Sequence, residues 1–334
     1  MDAVSLVTGG AGFLGSHVVA ALVARGERVV VLDDLSGGFA ENVPAGVRLV
    51  HGSILDEALV DSIFRADRVR HVYHLAAYAA EGLSHFIRRF NYQNNLIGSV
   101  NLINASVNHE VECFVFTSSI AVYGPGQVPM HEELMPTPED PYGVAKLAVE
   151  QDLRACYEQF GLPYVIFRPH NVYGERQNIG DRYRNVIGIF MNQIMQGEPM
   201  TIFGDGRQTR AFTYAGDIAP VIAAAPGRPN AHGQVFNVGA DTPYEVRVLA
   251  ERVAAAMGVS PDIRYLDARK EVVDAYSSHE KVRAYFDVPP ETSLDDGLAR
   301  MAAWARATGA RQSQPFGTIE IPRGLPASWA NRPA

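Results

Sequence analysis

The segment Thr8-Gly-Gly-Ala-Gly-Phe-Leu-Gly15 constrains this 334-residue chain more than any other. An apolar run, residues 4–7, precedes it, and helical periodicity follows over residues 13–25. Gly9, Gly12 and Gly15 therefore have the spacing G-x-x-G-x-x-G at a strand-to-helix turn. The first glycine permits a tight turn, the second lets backbone approach a pyrophosphate, and the third lets the helix pack close to the sheet. The helix N-terminus, carrying Phe13 and Leu14, then faces the phosphates. A second apolar run, residues 29–32, ends in Asp33, where a carboxylate reaches ribose hydroxyls. Asp33, Asp34 and Ser36 offer two acids and no base for a 2′-phosphate. The expected cofactor is NAD.

Further apolar runs at 47–50, 72–75, 112–117 and 164–168 alternate with helical stretches at 55–65, 92–109 and 142–160. Continuous apolar strands alternating with helices predict an α/β fold of Rossmann type, a doubly wound parallel sheet. After Gly174 the texture changes. A helix is expected at 186–196, a polar loop at 203–210 and a strand at 234–238. Helices at 244–257 and 293–308 and an irregular tail at 315–334 complete the chain. Residues 1–174 with about 213–243 are expected to form the NAD-binding domain. Residues of about 175–212 with 244–334 are expected to form a smaller α/β lobe for the substrate.

The formal net charge of −8 argues against nonspecific nucleic-acid binding, which needs a basic surface. Two cysteines make no disulfide framework, and no His/Cys spacing suggests a metal site. The N-terminus lacks a cationic region followed by an apolar one, and no apolar stretch of about 18 residues occurs. A cytoplasmic enzyme with no membrane partner is expected.

Tyr142 and Lys146 are spaced Y-x-x-x-K on a predicted helix, so they share a face. A free phenol is a poor base at neutral pH. A neighbouring ammonium and a cationic nicotinamide both favour the phenolate. Lowering its pKa by roughly 3 units needs about 4 kcal/mol, within reach of two charges in a water-poor site. The preceding strand ends in Thr117-Ser-Ser119.

These segments, with His74-Leu-Ala-Ala77, Asn95-Leu-Ile-Gly98, Arg168-Pro-His-Asn-Val-Tyr-Gly174 and Gly204-Asp-Gly-Arg-Gln-Thr-Arg210, run in a consistent order along the chain. Together they resemble the extended short-chain dehydrogenase/reductase family. Within it they are most similar to the NAD-dependent nucleotide-sugar epimerases and dehydratases, the UDP-glucose (UDP-galactose) 4-epimerase branch above all. The resemblance implies that Tyr142 takes the proton from the sugar hydroxyl, that Lys146 lowers its pKa and binds the nicotinamide ribose, and that Ser119 hydrogen-bonds the reacting hydroxyl. Leu75, Ala76, Ala77, Asn95, Thr117 and Pro169 are implied to border the cofactor, with Ser53 and Ile54 near its adenine. Asn171, Arg210 and Arg269 are implied to hold a nucleotide diphosphate, whose oxygens an arginine fork matches. His170, Glu81 and Arg184 are expected to face the substrate, Arg184 as a nucleotide or charged-sugar contact. A homodimer through a four-helix bundle of the helices at 92–109 and 142–160 is also implied.

The two residues after Ser119 choose among reactions. Dehydratases of the family carry Asp-Glu there, a decarboxylase carries Glu at the second position, and 3,5-epimerases carry Cys at the first. This chain has Ile120-Ala121, which do no proton chemistry. The expected reaction is 4-epimerisation of a UDP-sugar through a 4-keto intermediate. A nucleotide-sugar dehydratase, a keto-sugar reductase using NAD(P)H and a UDP-uronate 4-epimerase remain alternatives.

Overall fold

Apolar segments too short to bury themselves alone pair edge to edge, and here they do so in parallel. The computed structural model describes residues 3–269 and 272–329. Seven of its strands form one sheet: β1 (Ala3–Thr8), β2 (Val29–Asp33), β3 (Arg48–His51), β4 (Arg68–His74), β5 (Cys113–Thr117), β6 (Tyr164–Pro169) and β7 (Gln234–Val238). Their order across the sheet is β7-β6-β5-β4-β1-β2-β3, every pair parallel. The chain reverses its winding between β1 and β4, and a ligand crevice is expected beyond the strand ends at that point.

Eight helices matter for the argument: α1 (Phe13–Ala24), α2 (Glu57–Ala66), α3 (Gly98–Asn108), α4 (Pro141–Phe160), α5 (Val186–Met195), α6 (Ala215–Ala224), α7 (Val246–Met257) and α8 (Leu294–Thr308). One face of the sheet packs Val18, Val19 and Leu22 of α1 with Ile218 and Ile222 of α6. The other packs Val60, Ile63 and Phe64 of α2, Leu102 and Ile103 of α3, and Val149 and Leu153 of α4. The strands thus have two apolar faces, which is why they read as unbroken runs. A third core joins α5, α7 and α8. Small two- and three-stranded sheets, such as Met200–Phe203 beside Ile263–Leu266, border it.

Three of the differences from expectation concern the main sheet and its helices. β4 starts at Arg68, because exposed Arg68 and Arg70 alternate with buried Val69 and hide its first half. The helix expected from residue 92 begins at Arg88 and passes through a π-helical turn, Gln93–Ile97, before α3. α6 was not anticipated: Pro220 reads as a breaker, yet burial against α1 outweighs the lost hydrogen bond. Residues 309–329 have no regular structure, as expected of the tail. Among the described residues no helix is long and apolar enough to cross a membrane.

Candidate active site

The carboxyl ends of β1, β2, β4, β5 and β6 open into one cavity of about 490 Å³. The turn after β1 presents bare backbone to it. Gly9 has φ +71°, and a Cβ there would lie 2.6 Å from the Ala76 nitrogen. A Cβ at Gly15 would lie 2.0 Å from the Gly9 oxygen, so α1 packs as closely as only glycine allows. Gly12 ends the turn, and no side chain caps α1. Its first-turn N–H groups are therefore left for a ligand.

Asp33 does two jobs. It lines the cavity, and its carboxylate also staples the turn: Oδ2 accepts from the Ala11 N–H at 2.9 Å and Oδ1 from the Leu35 N–H at 2.8 Å. Burial raises its pKa. Asp34 accepts from the Ser36 hydroxyl at 2.6 Å. Phe13, Leu14, Ile54, Leu75, Ala76 and Ala77 line the same space. Thr117 lines it too, and its buried hydroxyl has no hydrogen-bond partner among the described residues. A buried orphan hydroxyl, a glycine turn against the strand ends and an uncapped helix fit a dinucleotide.

The catalytic candidates follow from how α4 begins. Asp140 caps it, accepting from the Gly143 N–H at 2.9 Å, and Pro141 occupies the first turn. Tyr142, Lys146 and Glu150 then recur every fourth residue on one buried face. The Ser119 side chain favours the ionised form of the Tyr142 phenol, and both residues line the cavity. The Lys146 ammonium donates to the Thr117 carbonyl at 2.8 Å and lies 5.8 Å from the Tyr142 ring centre. Glu150 was missed in the sequence, though the four-residue spacing continues to it. It accepts from the Ser118 hydroxyl and pairs with the buried Arg168 guanidinium through Nε at 2.9 Å and Nη2. This pair fixes α4 against the ends of β5 and β6.

The charges differ from those expected. Burial lowers the Lys146 pKa to about 7, partly opposed by Glu150. Burial and, less strongly, Glu81 push the Tyr142 phenol upward. The protein alone thus keeps the phenol neutral.

Three expected contacts lie elsewhere. His170 does not line the cavity; it is buried, with Nδ1 3.1 Å from the Ala211 carbonyl and Nε2 3.1 Å from Nε2 of His279. Strand β6 ends at Pro169, and the positive φ of Asn171 turns the next side chain, not His170, to the cavity. Asn95 sits behind the wall: its side-chain oxygen accepts from the Tyr78 N–H and its nitrogen donates to the Tyr78 carbonyl. It braces the cavity-lining segment and does not itself line the cavity. Ser53 faces away, its hydroxyl accepting from the Leu55 N–H.

The remaining residues reach the cavity. Pro169, Asn171, Arg210, Arg269, Glu81 and Arg184 all line it. Arg210 donates to the Val272 and Val273 carbonyls, and Arg269 stacks on Phe203 at 4.5 Å. Ser84 lies under α4, accepting from the Tyr142 N–H at 3.3 Å. Tyr183 and Phe203 were missed as wall residues, because their burial depends on the tail: Trp329 packs on both, as Phe316 packs on the wall residue Tyr78.

A dinucleotide cradle with a Ser–Tyr–Lys set at its inner end defines an oxidoreductase-type enzyme of Rossmann fold. The NAD dependent epimerase/dehydratase family matches residues 5–239, and the chain belongs to that family. It is 36% identical over 261 residues to a UDP-glucose 4-epimerase of Halalkalibacterium halodurans, covering 74% of this chain and 78% of that one. The Thermotoga maritima UDP-glucose 4-epimerase, solved with UDP-glucose, superposes with a TM-score of 0.87 at 33% identity, over 91% of this chain and 99% of that one. The Thermus thermophilus UDP-glucose 4-epimerase, solved with NAD, gives 0.85 at 33% identity, over 90% and 98%.

Proposed function

We propose that this chain is an NAD-dependent 4-epimerase of a nucleotide sugar, with a UDP-hexose as the first substrate to test. One observation carries the choice of reaction. Tyr142 and Ser119 meet in the cavity, while Ile120 and Ala121 fall outside its lining and hold no titratable group. Ile120 packs instead with Val122, Tyr123 and Met130.

Ser119 orients the C4 hydroxyl, and Tyr142 takes its proton. Bound NAD supplies the acceptor and donor of hydride at C4. Lys146, tied to the Thr117 carbonyl, reaches the nicotinamide ribose and sets the position of the phenol. Asn171, Arg210 and Arg269 hold the diphosphate, so the sugar is free to turn while its anchor stays fixed. Residues 1–174 with about 213–243 hold the dinucleotide, and about 175–212 with 244–334 hold the nucleotide sugar; of these, residues 1–2, 270–271 and 330–334 lie outside the described ones.

A panel of UDP-, dTDP-, GDP- and CDP-sugars followed by proton NMR in D₂O tests this reading. The C4 epimer should appear without deuterium at C4 or C5. Deuterium at C5, or stoichiometric consumption of added NADH, would sink it in favour of a dehydratase or reductase.

The same reading makes the enzyme a cytoplasmic homodimer through α3 and α4. Exposed Val144 on α4 and Ile97 just before α3 support such a face. Light scattering after gel filtration should give twice the chain mass, and Val144→Glu should halve it.

A further inference from the structure

The cavity is lined by four side chains of Lys or Arg type: Lys146, Arg184, Arg210 and Arg269. Lys146 belongs to the catalytic set. Arg210 and Arg269 stand at the far wall, on the Val272 carbonyl and the Phe203 ring. Arg184 reaches in the opposite direction. Its Nη2 comes within 3.1 Å of the point where a Cβ on Gly37 would sit. Gly37 belongs to the loop after β2, and Gly38 next to it is pressed on the phosphate turn: a Cβ there would lie 2.6 Å from the Ala11 carbonyl carbon and 2.7 Å from the Gly12 nitrogen.

The guanidinium is also held in place. Its Nε donates to Asp181 at 2.7 Å, and its carbon lies 4.7 Å from the centre of the Tyr78 ring. Phe90 and Phe316 pack on Tyr78 in turn, at 5.5 and 5.3 Å. With Nε on Asp181 and the guanidinium beside the Tyr78 ring, Arg184 lines the cavity next to Gly37. The side chain is 15% exposed.

Asp33 ends β2 and Asp34 follows it, both lining the cavity, and α1 has no basic residue in its first turn. Its dipole contributes only about half a charge. A pyrophosphate brings two negative charges, and an arginine fork matches its oxygens.

We propose that Arg184 closes over the cleft as a clamp on the pyrophosphate of NAD, with Asp181 and Tyr78 as its positioning residues. This rests on the NAD reading of the cavity. It moves Arg184 from the substrate to the cofactor. It also ties the lobe around α5 to the phosphate turn, so that the dinucleotide stays in place from one turnover to the next.

The test is retention of NAD by Arg184→Gln and Arg184→Lys. Protein purified without added dinucleotide is denatured and its NAD is counted by chromatography; the dissociation rate is read by chase with labelled NAD. The wild type should hold close to one NAD per chain. Arg184→Gln should release it about 10- to 100-fold faster, the range for a lost charge-assisted hydrogen bond. Arg184→Lys should fall between. Equal melting temperatures at saturating NAD exclude a folding defect.

Wild-type dissociation in Arg184→Gln overturns the proposal. So does a variant that keeps its NAD and loses only the conversion of sugars bearing a 6-carboxylate, which would make Arg184 a sugar contact. If the wild type neither holds nor binds NAD, the NAD reading fails first, and the clamp falls with it.

Discussion

Tyr142→Phe should lower turnover about 10²- to 10⁴-fold, the range for loss of a positioned general base. The ring is 5% exposed and its packing survives the substitution, so the variant should melt like the wild type and keep its NAD. The change removes only the hydroxyl that meets Ser119. A companion variant reports on the electrostatics. Glu81 raises the Tyr142 pKa, so Glu81→Gln should lower it. The reactive form is the phenolate, so the rise of kcat with pH should move to lower pH. Steady-state rates from pH 6 to 10 check both. Unchanged kcat in Tyr142→Phe would remove Tyr142 from the reaction.

Lys146→Met should be inactive and, without NAD, more stable than the wild type. The lysine is buried beneath Tyr142, and burial moves its pKa from 10.5 to about 7. The unfolded chain binds this proton more tightly than the folded chain. The wild-type fold therefore loses stability as pH falls from about 10.5 to about 7. At 1.36 kcal/mol per unit this is at most about 5 kcal/mol, and losing the hydrogen bond to the Thr117 carbonyl offsets about 1–3 kcal/mol of it. Methionine carries no such penalty. Its advantage should be full below about pH 7 and vanish above about 10.5. Urea unfolding of the NAD-free proteins at several pH values measures the difference. A variant equally or less stable at pH 6 would show that Lys146 is not held at a cost.

Much of the dinucleotide side was legible because its signals are local. The glycine turn, the strand ending in Asp33 and the Tyr142–Lys146 spacing each lie within one or two elements, and burial on both faces wrote the strands as apolar runs. What failed was through-space. His170 sits in a motif whose neighbours face the cavity, but the backbone turn at Asn171 sends it into the core against His279, more than a hundred residues away. Asn95 looked like a ligand contact and is a brace, since its partner is the main chain of Tyr78. Glu150 is a plain helix residue in sequence; only the fold brings Arg168 to it. Tyr183 and Phe203 of the wall were invisible for the same reason, because Trp329 of the tail backs them.

That tail has a consequence for how such a chain can change. Stretches without regular structure ordinarily tolerate insertions and drift. Here the Glu320 carboxylate accepts the main-chain N–H groups of Arg89 and Phe90, and the Trp329 ring stands 3.0 Å from where a Cβ on Gly82 would be. Residues 313–329 are therefore registered against 81–90, and Glu81 at the start of that segment faces the cavity. A deletion near residue 318, or a side chain at Gly82, should be felt at the cavity wall around Glu81. Substrate range in this lineage can thus be rewritten from a segment that carries no catalytic motif.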